Sequence, residues 1–282
     1  MRLIGYRLRG TVRVAALTGD GGAADLAGVD DFWADPAGWL AAAAGRPGGL
    51  AVDQLDLAPP VRPAARVVGV GLNYRAHAAE GGFELPEYPT VFARWTPSLS
   101  VSGTPVPVPV DEPGLDWEGE LAVVIGTPLR EASEAEARAG FLGYAVFNDL
   151  SARRAQRRGT QWTLGKNADA SGPLGPIVTA DEVPGIDVGL RLVTRVNGEI
   201  VQDTSTADMI FSPARVASYL SRTFTLQPGD IICTGTPSGV GHARQPEWFL
   251  TPGDIVSVEI EGLGEITNPV VTRAAQPRQR PA

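Results

Sequence analysis

The pattern of apolar and polar positions divides the chain into many short strands and a few short helices. Residues 2–17 read as two strands meeting at Gly10, and residues 18–29 as a loop of small side chains. Asp35 as N-cap, Pro36 at the first helical position and Gly45 past the end predict a helix whose buried side carries Trp39 and Leu40. Pro47, Gly48 and Gly49 break it, and the Pro-rich link at 59–63 predicts a boundary. A small N-terminal α/β subdomain over 1–64 would precede a main domain over 65–272 and a flexible polar tail over 273–282. In the main domain, residues 66–72, apolar after Arg66, read as a short buried strand. Residues 73–80 fit a helix ending at Gly81-Gly82, and residues 90–110 read as strand and loop. Residues 116–125 form a strand that starts polar and turns apolar. Helices are expected at 133–140 and 212–222, a basic turn or helix at 151–158, and strands at 143–148, 190–196, 231–234 and 255–260. Two segments, Gln227-Pro228-Gly229-Asp230-Ile231 and Thr251-Pro252-Gly253-Asp254-Ile255, centre Pro-Gly in a turn that launches a strand, with Gly supplying the positive φ. The predicted class is α+β and β-rich.

Composition agrees. The 34 Gly and 24 Pro exceed the usual share, as a turn-rich β fold requires, and 43% apolar residues supply a core. A net charge of −8 argues against nucleic acid as a partner. No apolar run is long enough to span a bilayer, and the first residues lack the apolar core of a secretion signal, so a cytoplasmic protein is expected. One cysteine and two histidines supply a zinc site poorly. Carboxylates are plentiful, which favours a hard cation with oxygen ligands. All basic residues but one, Lys166, are Arg.

Four groups of residues could carry chemistry. Glu118 and Glu120, two apart on a strand, project from one face and repel unless a cation or proton lies between them. Asp149 ends another apolar strand, and the three acids together could hold Mg²⁺ or Mn²⁺. They equally suit an exposed strand end with solvated charges. His77 and Glu80, three apart on a helix, share a face, so Glu80 could hold one imidazole nitrogen while the other takes a proton from water. The alternative is a surface pair worth little. Lys166 lies among turn formers, where function or mere solvation can place it. His242 reads as a loop residue after a Gly-Val-Gly turn, and Cys233 as a small buried apolar residue.

Taken in order, these strings resemble the fumarylacetoacetate hydrolase family. They are Gly71-Leu72-Asn73-Tyr74 with His77 and Glu80, Glu118-Gly119-Glu120-Leu121-Ala122-Val123-Val124-Ile125-Gly126, and Asn148-Asp149-Leu150-Ser151-Ala152-Arg153 with Gln156. Then follow Gly165-Lys166, Gly172-Pro173-Leu174-Gly175-Pro176, Val196-Asn197-Gly198-Glu199, Asp208-Met209-Ile210-Phe211, Thr234-Gly235-Thr236-Pro237-Ser238-Gly239-Val240-Gly241 and Gly262-Leu263-Gly264. The resemblance implies a mixed β-sheet roll or barrel-like core with short helices, usually in a homodimer or larger homo-oligomer. It implies Glu118, Glu120 and Asp149 as ligands of Mg²⁺ or Mn²⁺, with Ca²⁺ as a further option. It implies His77 and Glu80 as a catalytic dyad, and Lys166 beside the substrate oxygens. Arg153, Gln156 and Thr236 would contact a 2-oxo acid or diketone. The implied activity is metal-dependent hydrolysis of a C–C bond in an acylpyruvate or related dicarbonyl acid. Decarboxylation of an oxaloacetate-type acid, or keto–enol isomerisation, would use the same site, and a non-catalytic ligand-binding member is a remote alternative.

Two departures stand out. Ala168-Asp169-Ala170-Ser171 keeps the Asp of a run that often carries two Phe, which predicts a roomier or more polar pocket if the segment lines it. Arg94 stands where a Lys is common.

Overall fold

The structure, a computed structural model, describes residues 1–82, 84–183, 186 and 188–274. From residue 275 on, the expected tail lies outside the described residues. The larger sheet has eleven strands. Its path runs Leu50–Ala51, Gly22–Gly28, Thr11–Leu17, Arg2–Leu8, Ile177–Thr179, Phe141–Asn148, Gly119–Ile125, Ile231–Cys233, Val67–Gly71, Thr90–Arg94, with Leu57–Ala58 joined to Arg2–Leu8. Every pair is antiparallel except Ile231–Cys233 with Val67–Gly71. A five-stranded sheet runs Glu199–Ser205, Arg191–Val196, Ile255–Ile260, Gly264–Thr272, Val106–Val108. Neither path returns to its own first strand, so the sheets form an open mixed β-architecture, not a closed barrel.

The expected loop at 18–29 contains the strand Gly22–Gly28, paired with Thr11–Leu17. Its alanines have weak strand propensity, yet Ala23, Ala24 and Ala27 are buried, and packing decides. The helix Pro36–Ala43 forms with the Asp35 side chain accepting from Gly38 N–H. Trp39 and Leu40 are only half-buried, however, and Phe32 and Trp33 of the preceding helix Val29–Ala34 enter the core instead. The strands Glu199–Ser205 and Gly264–Thr272 lie outside those expected. Arg2–Leu8 pairs with Ile177–Thr179, so strands on both sides of residue 64 share one sheet. Among the described residues, no helix is long and apolar enough to cross a membrane.

The strand Gly119–Ile125 is buried along its whole length, which explains its unbroken apolar run. Leu121, Val123 and Ile125 pack into a core shared with Leu192, Val258 and Ile260 of the smaller sheet and Val216 and Leu220 of the helix Pro213–Ser221. Ala122 and Val124 pack on the other face with Leu3, Val14, Phe32 and Trp33. A strand clamped on both faces is a rigid mount for the side chains at its polar end.

Candidate active site

Register assembles the acids. Gly119 pairs with Asn148 and Glu120 with Phe147, and one step on Asp149 N–H donates to the Glu118 carbonyl at 2.9 Å. Glu118 and Asp149 are therefore cross-strand neighbours, and Glu120 follows Glu118 on the same face. All three are buried, and each offers an oxygen within 4.8 Å of the others'. They are not a solvated strand end. Glu120 accepts from Gly235 N–H at 3.0 Å. Position 235 needs glycine, since its φ is +93° and a Cβ would sit 2.8 Å from the Val70 carbonyl oxygen.

Three cations compensate two of the acids. Lys166 ends the short helix Thr163–Lys166, is 2% exposed, and places Nζ 2.6 Å from Glu118 and 2.9 Å from Asp149. Arg153 sets Nη2 2.6 Å from Glu118, donates from Nε to Asp116 at 2.8 Å and from Nη1 to Gln156 at 3.0 Å. Arg94 pairs with Asp149 and donates to Ser171 Oγ at 2.7 Å. Burial pushes the Glu118 carboxyl up, but Lys166 and Arg153 outweigh it and hold the group below its ordinary range. Glu120 meets no ion pair among the described residues, and burial with the charges of Asp149 and Glu118 pushes its carboxyl well above the ordinary range. An uncompensated buried carboxylate amid all-oxygen donors is what a hard divalent cation would relieve, so the residues fit one.

A cavity of about 390 Å³ opens beside the acids. Of the residues expected from the sequence, Glu118, His77, Arg153, Gln156, Lys166 and Thr236 line it. Phe92 and Trp162, edge to face at 5.5 Å, give it an apolar wall. Thr236 donates to the Gly119 carbonyl at 3.0 Å and accepts from Gln202 at 2.9 Å. His77 Nδ1 lies 3.2 Å from Glu80, on the helix Arg75–Glu80. Burial raises the Glu80 carboxyl, but the bonds from His77 and Gly239 N–H bring it below its ordinary value. A groove of about 600 Å³ elsewhere gathers none of the expected site residues.

The segment 168–171 does not line the cavity. The roomier pocket expected from its missing aromatics is therefore not what those residues build. Ser171 is fully buried and takes a hydrogen bond from Arg94, so the two departures touch one another. Three residues to which the sequence reading gave no site role also belong to the site. Arg94 compensates Asp149. His242 lines the cavity, and fully buried Asp116 accepts its Nδ1–H at 2.9 Å. The polar start of the 116–125 strand was the only signal for Asp116.

The profile of the fumarylacetoacetate (FAA) hydrolase C-terminal family matches residues 66–271. The chain belongs to this family. A Burkholderia multivorans protein provisionally named a hydrolase is 45% identical over 214 residues, 75% of each chain. Among solved structures, a Mycobacterium smegmatis protein provisionally named HpcE superposes with a TM-score of 0.88 at 36% identity, over 97% of this chain and 100% of that one. A 5-carboxymethyl-2-hydroxymuconate delta-isomerase from Mycobacterium smegmatis gives 0.75 at 34% identity, over 98% and 100%. Fumarylpyruvate hydrolase from Pseudomonas aeruginosa, in complex with Mn²⁺ and pyruvate, gives 0.69 at 34% identity, over 77% and 92%. The family fold and its enzymes make this FAA hydrolase family chain an enzyme with a candidate divalent-metal site.

Proposed function

We propose that the protein is a divalent-metal-dependent hydrolase that cleaves a C–C bond in an acylpyruvate or related 1,3-dicarbonyl 2-oxo acid. The observation that carries the reading is the buried Glu118–Glu120–Asp149 cluster beside a cavity into which a carboxylate-held imidazole, His77, also faces. Glu118, Glu120 and Asp149 would hold Mg²⁺ or Mn²⁺. When bound, that ion polarises a carbonyl and stabilises negative charge on its oxygen. Glu80 fixes His77 through Nδ1, leaving Nε2 to take a proton from water as the water oxygen bonds to the distal carbonyl carbon. Lys166 Nζ, fixed between two acids, donates toward the oxygen on which charge develops. Arg153, Gln156 and Thr236 orient the 2-oxo acid end, and Phe92 with Trp162 shields it from bulk water. We take the protein to work in the cytoplasm as a homodimer or larger homo-oligomer on a free small-molecule acid.

A second reading is chemistry on the same site without attack by water, as a 2-oxo acid decarboxylase or keto–enol isomerase. The similarity to the muconate delta-isomerase favours it. NMR with acetylpyruvate and, separately, oxaloacetate separates the two, with Mg²⁺, Mn²⁺ or excess chelator and enzyme-free controls. Metal-dependent acetate and pyruvate from acetylpyruvate support the hydrolase. Pyruvate and CO₂ from oxaloacetate alone refute it.

A further inference from the structure

The cavity holds a second carboxylate-backed imidazole that the hydrolytic scheme leaves unused. Asp116 is fully buried and accepts from Gly241 N–H at 2.6 Å, His242 N–H at 3.0 Å, Arg153 Nε at 2.8 Å and His242 Nδ1 at 2.9 Å. The Asp116 oxygens already accept from two backbone N–H groups and from Arg153 Nε, so the carboxyl acts as acceptor and Nδ1 of His242 as donor. That fixes the tautomer, and in the neutral ring Nε2 carries a lone pair. No protein group among the described residues bonds Nε2. The ring lines the cavity, with its side chain 30% exposed. Gly241 can approach Asp116 because it lacks a side chain, a Cβ there falling 2.8 Å from Asp116 Oδ1. The imidazole is thus held at Nδ1 by Asp116 and open to the cavity at its other edge.

We propose that His242 is a second catalytic imidazole, the one that moves the proton on the substrate carbon next to the 2-oxo group. The inference rests on the hydrolase reading only for its substrate class. In the cleavage direction, the C–C electron pair leaves as an enolate. The carbon of that enolate then takes the proton from Nε2 of the His242 ring in its doubly protonated form, its C=C pair forming the C–H bond while the oxygen pair restores the carbonyl, and the ring is left neutral with Nδ1–H on Asp116. The ring recovers a proton from water through its exposed edge. The water proton taken by His77 returns to solvent, the acyl product loses the other water proton as it ionises, and one proton goes back to His242, which leaves the single net proton that the hydrolysis releases; the two imidazoles serve two different protons. In the reverse half-step, neutral Nε2 removes a proton from the carbon and the C–H pair becomes the enolate double bond.

The reverse half-step is measurable without any acylpyruvate. Pyruvate is incubated in D₂O with the full chain and Mg²⁺, and loss of the methyl proton signal is followed by NMR. The expected result is exchange well above that of Mg²⁺ alone, falling by roughly a hundredfold in both His242→Gln and His242→Asn. Melting curves verify that each variant folds. A metal-free readout accompanies it: ¹⁵N-histidine NMR of the wild-type protein, which has two histidines. The neutral ring assigned to His242 should be protonated on Nδ1. Wild-type exchange no faster than Mg²⁺ alone overturns the proposal, as do undiminished exchange in the folded variants or a neutral ring protonated on Nε2. His242-dependent exchange without acylpyruvate cleavage keeps the proposal and rejects the hydrolase reading. Cleavage with His242-independent exchange does the opposite.

Discussion

Replacing Glu120 by Gln tests whether the acid cluster is built around a cation. Glu120 is 1% exposed, accepts one backbone N–H from Gly235, and has no ion pair among the described residues. Burial, then Asp149 and Glu118, raise its carboxyl well above the ordinary 4.5. The sign follows from linkage. A group with a raised folded-state pKa contributes stability that is fully present below its unfolded pKa and is lost as pH rises through the folded one. In chelator, wild-type stability should therefore fall as pH climbs from the ordinary carboxyl range toward that raised value. Glu120→Gln keeps an oxygen for Gly235 N–H but has no proton to lose, so this fall should vanish. The metal response should invert the comparison. A site saturated at a hundred times its Kd stabilises the folded state by about 2.7 kcal/mol. For a chain of this size that is a rise in Tm of roughly 5–11 °C. Glu120→Gln should lose most of it, because a neutral amide replaces one of three anionic donors. Thermal melts with chelator and with a Mn²⁺ series, at several pH values, read both effects. An equal Mn²⁺-induced rise in wild type and variant, with equal pH slopes in chelator, would refute the argument.

Other variants probe neighbouring parts. Asp149→Ala should abolish metal-dependent turnover and cost about 3–5 kcal/mol in denaturant melts, since Arg94 loses its buried counter-charge and Lys166 one of two. His77→Ala should bind Mn²⁺ with near wild-type affinity in calorimetry while losing hydrolysis; full hydrolysis would remove His77 from the mechanism. Ser171→Phe should destabilise by roughly 1–3 kcal/mol, because the site is fully buried and Arg94 occupies the adjoining space. Asp116 is held below its ordinary 3.8: burial raises it, but Arg153 and His242 prevail. Its contribution is present above 3.8 and is lost as pH falls toward the lower folded value, so acid melts of Asp116→Asn should show a shallower decline there than wild type.

Parts of this site were legible in the chain because they depend on local period. Strand parity alone puts Glu118 and Glu120 on one face, and helical spacing alone joins His77 to Glu80. Lys166 drew attention as the sole lysine. What period cannot show is register between distant strands. That Asp149 falls opposite Glu118, and not one residue off, is set by the pairing of Gly119 with Asn148. The same limit hid the contact between Arg94 and Ser171, which are 77 positions apart and meet only when the strand Thr90–Arg94 comes beside residue 171. It hid His242 as well, whose significance comes from a partner 126 positions earlier. The missed strand Gly22–Gly28 has a different cause: an alanine-rich sequence carries no strand signal, and burial supplies the stability.

The charges also explain why the two ends of the cavity should respond together. Arg153 touches Glu118 through Nη2 and Asp116 through Nε, so one guanidinium joins the acid cluster to the carboxylate that orients His242. A divalent cation arriving at Glu118 competes with Arg153 and Lys166 for the same oxygens. Any weakening of the Arg153–Glu118 contact leaves more of that guanidinium's charge to Asp116 and Gln156, or to an incoming carboxylate. Arg153 is thus better placed to meet substrate when the cation is bound than when it is absent. This predicts an order: in calorimetry, pyruvate should bind with measurable affinity after Mn²⁺ and far more weakly before it. Arg153→Lys should flatten that dependence, since lysine lacks the separate Nε and Nη2 donors that reach Asp116 and Glu118 in different directions. Equal pyruvate affinity with and without Mn²⁺ would mean that the acids and the cavity work independently, and that Arg153 serves structure alone.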